Sequence, residues 1–255
     1  MRFASLGSGS GGNALVVEAG ETRLLLDCGF GIRETSRRLG RLGLDAGMLA
    51  GVLVTHEHSD HADGAFKFAR RHGLPVWLSH GTLNALAPRL ALPDTLHVID
   101  SHAPWAIGDL EVEPYPVPHD AREPVQFVFG DGARRLGVLT DVGCITPHIV
   151  ATLENCDALV VECNHDPEML RTGPYPYPLK QRVAGKFGHL SNEEAASLVE
   201  RVRNPKLQHV VAAHISQHNN TSALAVRALS AALDCEEEWV GVADQDGGFD
   251  WRQVA

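Results

Sequence analysis

The sequence predicts an α+β chain folded as a four-layer αββα sandwich, two sheets face to face with helices outside. Three observations carry this. Short apolar, β-branched runs follow one another in groups, as successive strands of antiparallel sheet do. The grouping is broken twice by strand–helix units, which require a crossover and place a helix on an outer face. No internal repeat, linker or low-complexity stretch divides the chain, so residues 1–255 read as a single domain.

The elements follow in order. Arg2 to Leu6 is a strand that breaks at the loop Gly7-Ser8-Gly9-Ser10-Gly11-Gly12-Asn13. Asn13 to Ala19 and Thr22 to Asp27 form a hairpin around Gly20-Glu21. Helical spacing of Ile32, Leu39 and Leu42 predicts a helix over Gly31 to Leu42, with Gly43 as its stop. Val52 to Val54 reads as a buried strand and Ala62 to Arg71 as the helix after it. Pro75 to Leu78 is a strand and Gly81 to Leu90 a helix. Thr95 to Asp100, Leu110 to Val117, Val125 to Phe129 and Leu136 to Thr140 are four strands. Thr146 to Leu153 is a helix, Ala158 to Glu162 a buried strand, and residues 163–189 are irregular and rich in Pro and Tyr. Asn192 to Arg203 (helix), His209 to Ala213 (strand), Thr221 to Leu233 (helix), and the strands Glu238 to Val242 and Phe249 to Val254 complete the chain.

The hydrophobic fraction of 44% and charged fraction of 21% are those of a soluble globular protein. No apolar run approaches the ~18 residues of a membrane span, and MRFASLGSGSGG does not read as a secretion signal. Five cysteines, Cys28, Cys144, Cys156, Cys163 and Cys235, make an odd set without C-x-x-C pairs, which predicts reduced thiols and a cytoplasmic protein. The net charge of −10 by itself argues against a nucleic-acid partner. Much of that charge is local, however: residues 234–255 hold seven acids against Arg252.

The chemistry gathers at Thr55-His56-Glu57-His58-Ser59-Asp60-His61. His56 and His58 stand two apart, so on extended backbone their imidazoles leave the same face and can grip one cation. Asp60 and His61 follow where the chain turns into a helix, and point elsewhere. A lone His or Asp at a strand end commonly just hydrogen-bonds within its own loop. Here three more such residues, His119, Asp141 and His214, each follow an apolar strand. Imidazoles and carboxylates without thiolate suit two divalent ions, Mn²⁺ or Zn²⁺, with Fe²⁺ also accommodated. Asp141 is the natural bridge, with His56, His58 and His119 completing one ion and Asp60, His61 and His214 the other. Two such ions share a hydroxide and clamp the group it attacks.

These residues, in this order, resemble the metallo-β-lactamase superfamily, whose pattern is H-x-H-x-D-H followed by His, Asp and His at later strand ends. Gly188-His189-Leu190-Ser191-Asn192 and Ala213-His214-Ile215-Ser216 look like its phosphodiesterase side. With Ser5 to Asn13 and Val161-Glu162-Cys163-Asn164-His165-Asp166, the whole combination is most similar to the YycJ/WalJ group, regarded as 5′→3′ DNA exonucleases. The 58 residues from His61 to His119 leave little room for the exosite arm of transfer-RNA 3′-endonucleases. The 73 residues from Asp141 to His214 exclude the extra domain of ribonuclease J-like enzymes.

The resemblance implies a metal-dependent phosphodiesterase acting on nucleic acid, DNA in preference to RNA, with a dinuclear-metal-bound hydroxide as nucleophile. The alternative is a hydrolase of small substrates, a cyclic phosphodiester or thioester, on the same metal site. His189 would protonate the leaving oxygen, and Asp60 would orient the nucleophile as well as bind metal. Glu162 and His165 are read as positioning His189 or a ligand. Ser191 heads an S-x-x-E capping box, and the helix beginning at Asn192 offers free N–H groups to a phosphate. The Ser8 to Asn13 loop could offer its amides likewise. No membrane partner is expected, and the oligomeric state is left open, a homodimer among the options.

Overall fold

A computed structural model describes all 255 residues. One sheet contains β1 (Arg2–Gly7), β2 (Ala14–Ala19), β3 (Thr22–Leu26), β4 (Gly51–Leu53), β5 (Val76–Ser79) and β6 (Leu96–Ile99). The other contains β7 (Trp105–Ile107), β8 (Leu110–Pro116), β9 (Val125–Gly130), β10 (Arg135–Leu139), β11 (Ala158–Glu162), β12 (His209–Ala213) and β13 (Gly241–Val242). The last strand, β14 (Phe249–Gln253), returns to the first sheet, giving the orders β14-β1-β2-β3-β4-β5-β6 and β13-β12-β11-β10-β9-β8-β7.

Period-two alternation sorts each strand's side chains between two layers. In β2, Leu15 and Val17 face the opposite sheet while Val16 faces the helices; in β12, Val211 faces inward and Val210 outward. The space between the sheets is filled by side chains from both, with Phe3, Phe127 and Phe129 the largest. Outside the first sheet pack α1 (Ile32–Arg41), α3 (Ala65–His72) and α4 (His80–Leu86), behind the short α2 (Ser59–Ala62). Outside the second lie α5 (Pro147–Leu153), α8 (Asn192–Val202) and α9 (Ser222–Leu233). The four-layer αββα sandwich is thus the observed architecture. No helix is long and apolar enough to cross a membrane.

Several elements differ from the sequence reading. The helix expected over Ala62 to Arg71 is two pieces. The break falls at Gly64, whose backbone packs against the 28–30 loop so closely that a Cβ would stand 1.9 Å from the Phe30 carbonyl oxygen. Helical backbone begins at Ser59, so Asp60 and His61 lie in a first turn. The stretch 163–189 carries α6 (Pro167–Thr172) and α7 (Tyr177–Val183), each with a proline in its first turn, where a missing N–H costs nothing. Strand β7 is an unexpected three-residue edge, and the strand expected over Glu238 to Val242 shrinks to Gly241–Val242 behind a 3₁₀ turn.

Strand direction positions the site. β3 and β4 run parallel, as do β10, β11 and β12, while β8 shares their direction through two antiparallel pairings. Their C-terminal ends therefore open on one rim, where loops are free to carry polar groups.

Candidate metal centre

The rim gathers the side chains that the strands release. His56 and His58 follow β4, His119 follows β8, Asp141 follows β10, Glu162 ends β11 and His214 follows β12. Asp141 and His214 take left-handed backbone, φ 50° at each, as does Asp27 after β3 at φ 59°. That conformation is rare in side chains with a Cβ, though Asp and His tolerate it better than most. Here it swings each side chain from the strand line into the rim.

Two sets of donors result. In the first, His56 Nε2 and His119 Nε2 lie 3.0 and 3.2 Å from His58 Nδ1. The second comprises Asp60, His61, Asp141 and His214, with donor atoms all within 4.8 Å of one another. Asp141 lies between the sets, its Oδ2 2.9 Å from His61 Nε2 and its Oδ1 3.8 Å from His119 Nε2.

Outer contacts fix which ring nitrogen faces the centre. His119 Nδ1–H donates to the Gly188 carbonyl at 3.0 Å, and His61 Nδ1–H to Asp27 Oδ2 at 2.7 Å. His56 Nδ1 meets Thr55 Oγ1 at 2.9 Å, and that hydroxyl donates onward to Asp27. Each of these three imidazoles therefore turns an Nε2 lone pair inward, the arrangement that metal-binding histidines require. Asn13 Nδ2 adds a contact to Asp60 Oδ2 at 3.2 Å.

The electrostatics call for positive charge at the centre. Burial lowers His56 and His119 below the ordinary imidazole range, reinforced by neighbouring imidazoles. Burial alone would also lower His61 and His214. Asp141 and the other nearby carboxylates outweigh it, holding His61 well above its usual value and raising His214 to about 10. Burial would raise Asp141, but His214 and His61 hold it well below the carboxylate range. Its buried Oδ2 has only His61 Nε2, at 2.9 Å, as a close polar neighbour. Converging imidazole nitrogens and ionised, buried carboxylates fit a divalent cation, and the nitrogen and oxygen donors suit Zn²⁺, Mn²⁺ or Fe²⁺.

His189 stands beside the two sets. Its Nδ1 lies 2.7 Å from Glu162 Oε1, while Glu162 Oε2 accepts the Val142 and Leu190 amides at 3.0 and 3.1 Å. Burial would lower His189, yet the Glu162 carboxylate outweighs it and raises it. The ring's Nε2 is left facing a cavity of about 350 Å³ lined by Asp60, Asp141, Asn164, His189 and His214 among others.

The domain model described as β-lactamase superfamily matches residues 22–215. The chain belongs to the metallo-β-lactamase superfamily. Within that superfamily it is 37% identical over 246 residues to a Bacillus anthracis protein named exodeoxyribonuclease YycJ, covering 96% of this chain and 92% of the relative. It is 31% identical over 245 residues to Streptococcus pneumoniae exodeoxyribonuclease WalJ, covering 94% and 91%. Among solved structures, the metallo-β-lactamase fold protein YhfI of Bacillus subtilis superposes with a TM-score of 0.75 at 18% identity, covering 98% of both chains. Zinc-bound PqqB of Methylobacterium extorquens gives 0.74 at 17%, covering 99% and 100%. At such identity these two likenesses describe the fold.

Of the other residues singled out in the superfamily pattern, Ser191 caps α8 reciprocally with Glu194. At that helix start, where an anion site was expected, Ser191 and Asn192 are buried, and the Asn192 and Glu194 amides are bonded to the His165 carbonyl and Ser191 Oγ. In the Ser8 to Asn13 loop, expected as an anion cradle, three amides are taken up within the protein. Gly9 N donates to Asn13 Oδ1, Gly11 N to Gln245 Oε1 and Gly12 N to the Gly9 carbonyl. Ser8 instead braces the centre, its Oγ accepting the His214 amide at 2.9 Å. His165 touches neither His189 nor the metal-facing groups by hydrogen bond; its Nδ1 is buried without a partner.

Sequence reasoning gave no site role of their own to Asp27, Thr55, Asn164, Asp120 and Arg182. Asp27 had the signal that exposed Asp141, a carboxylate directly after an apolar strand. Asp120 adjoins His119 in the sequence. Arg182 has no such mark, because only the fold of residues 163–189 brings it to the rim.

Proposed function

We propose that this metallo-hydrolase is a 5′→3′ DNA exonuclease whose seven rim residues hold two divalent ions. His56, His58 and His119 would bind one ion, Asp60, His61 and His214 the other, and Asp141 both. The observation that carries the reading is the convergence of these two donor sets on Asp141 beside the His189–Glu162 pair, in an open cavity. The DNA and exonuclease parts draw on relatives that bear that name across nearly their whole length. The polarity draws on the resemblance to the YycJ/WalJ group. Residues 1–255 would work as one domain. Five free cysteines, three of them buried, favour a reducing compartment such as the cytoplasm.

Bound divalent ions supply a nucleophile from water at neutral pH and neutralise charge on phosphoryl oxygens. The chain's own groups do the rest. His189, held through Nδ1 by Glu162, presents Nε2 to the departing sugar oxygen and donates a proton there. Glu162 keeps that ring oriented because both of its oxygens are bonded. Asp60, held by Asn13, orients the attacking water.

The test is end-labelled single- and double-stranded DNA bearing a 5′-phosphate or a 5′-hydroxyl, with Mn²⁺, Zn²⁺ or chelator. Mononucleotide release from the 5′ end, abolished by Asp141→Ala, supports the reading. Release from the 3′ end overturns the polarity. Turnover of a small cyclic phosphodiester or thioester with DNA left intact would replace it with the small-substrate alternative.

A further inference from the structure

The net charge of −10 poses a difficulty for a polyanionic substrate, and the cavity wall answers it with one residue. Of the fifteen residues lining the cavity, Arg182 is the sole Lys or Arg. Its Nε donates to Asp120 Oδ2 at 2.5 Å, while its two terminal amino groups have no partner in the protein. The other Asp120 oxygen lies 3.6 Å from His58 Nε2 and 3.5 Å from His119 Nε2. One carboxylate thus links the edge of the first donor set to the guanidinium.

The backbone holds this arrangement firmly. The Val183 carbonyl, next to Arg182, accepts the His189 amide at 2.8 Å. The Gly188 carbonyl accepts from His119 Nδ1, and Gly188 sits so close to α7 that a Cβ would lie 2.2 Å from the carbonyl oxygens of Arg182 and Val183. The end of α7 is therefore tied to the turn that carries His189 and supports His119. Folding stability does not explain the pair: Arg182 is 61% exposed, and ion pairs that water reaches contribute little. Removing Nε from contention leaves a planar pair of N–H groups, the fork that matches phosphate oxygens.

We propose that Arg182 binds a substrate phosphate adjacent to the scissile one, with Asp120 as its positioning residue, so that a polynucleotide is selected over a lone phosphoester. This rests on the phosphodiesterase reading above. Asp120 lies between the guanidinium and the imidazoles of His58 and His119, a spacing that suits a neighbouring phosphate and not the one under attack. Tyr175 and Leu179 on the same wall offer apolar surface to the intervening sugar and base.

The experiment compares wild type, Arg182→Ala, Arg182→Lys and Asp120→Asn on two substrates: a short 5′-phosphorylated single strand and bis(p-nitrophenyl) phosphate, which has one phosphate. Arg182→Ala should lower kcat/KM on the strand by about 10- to 100-fold, chiefly through KM, as loss of a charge-assisted contact does. Its loss on the small ester should be at least about tenfold smaller. The salt dependence of the strand KM should flatten by about 0.7 in log–log slope, one phosphate's share for a single strand. Arg182→Lys should recover part of the loss, and Asp120→Asn should show the same substrate bias at smaller size. Fluorescence anisotropy with a cleavage-resistant phosphorothioate strand measures binding without turnover, and Arg182→Ala should weaken it about tenfold or more. Equal losses on both substrates, or strand binding unchanged by Arg182→Ala, overturn the assignment. A strand held through Arg182 but left uncut by wild type would keep the assignment and overturn the nuclease reading. A wild type that does not bind the strand overturns both.

Discussion

Asp27 Oδ2 lies 2.7 Å from His61 Nδ1, with both groups buried, and the same carboxylate accepts the amide and hydroxyl of Thr55. One side chain thereby sets the ring orientation of His61 directly and of His56 through Thr55. Asp27→Asn keeps the shape and removes the charge. It should lower metal affinity or turnover by about 10- to 100-fold, as losing a partner behind a histidine ligand does. Metal content by elemental analysis, at limiting metal, checks this; wild-type occupancy and rate would remove Asp27 from the centre's support.

His189→Ala should reduce turnover about 10²- to 10⁴-fold, the range for a lost general acid, while bound metal stays at the wild-type level. A substrate with a p-nitrophenolate leaving group, which needs no proton, should suffer a much smaller loss. Equal losses on both substrates would argue that His189 positions something else.

Metal removal should destabilise the fold as well as silence it. The second donor set brings Asp60 and Asp141 together with little water, and a ligand that binds only the native state at 100 times its Kd adds about 2.7 kcal/mol. Chelation should therefore lower Tm by several degrees, with recovery on adding Mn²⁺ or Zn²⁺. An unchanged Tm under chelator, with metal loss verified, would contradict this.

Glu18 on β2 takes Arg2 of β1 on one oxygen and Arg23 of β3 on the other, at 2.5 Å each. Burial pushes its carboxyl up, but the two guanidiniums outweigh this and hold it below the usual carboxylate range. A depressed acid stabilises the fold above its unfolded pKa and loses that contribution as pH falls through the folded value. The stability gap between wild type and Glu18→Gln should thus be full above about pH 4.5 and shrink in more acidic buffer. Urea melts at several pH values read it out; a gap independent of pH would refute the ion-pair account.

Phe127→Ala should cost about 3–5 kcal/mol. Its ring fills the space between the sheets against Phe129 and Trp105, where no outer helix can collapse into the void. A urea midpoint shift well below that size would show that the sheets close on the cavity.

Much of this architecture can be read in the residues because strand alternation and strand-end polarity are local signals. Leu15 and Val17 against Val16 declare two buried faces, and His119, Asp141 and His214 each stand out after an apolar run. Length is what hides β7: three residues are too few to show a period. The two helices in 163–189 are hidden because prolines, which usually mark loops, here occupy first helical turns. The glycine-rich loop misleads for another reason. Its amides look free in sequence, but Asn13 takes that of Gly9 and Gln245 that of Gly11, the second from more than two hundred residues away. Arg182 is invisible until α7 folds against the Gly188 turn.

The left-handed backbone at Asp27, Asp141 and His214 has a consequence for how this protein could be improved by selection. Each position holds a conformation that glycine or asparagine adopts more readily, at a local cost on the order of 1 kcal/mol. The side chains at these three rim positions offset that strain through buried contacts with one another, with His61 and with Thr55, so relieving it at one position would leave buried groups unpartnered. Selection for stability would sooner relieve the same backbone at the exposed Asp234, which ends α9 at φ 56°.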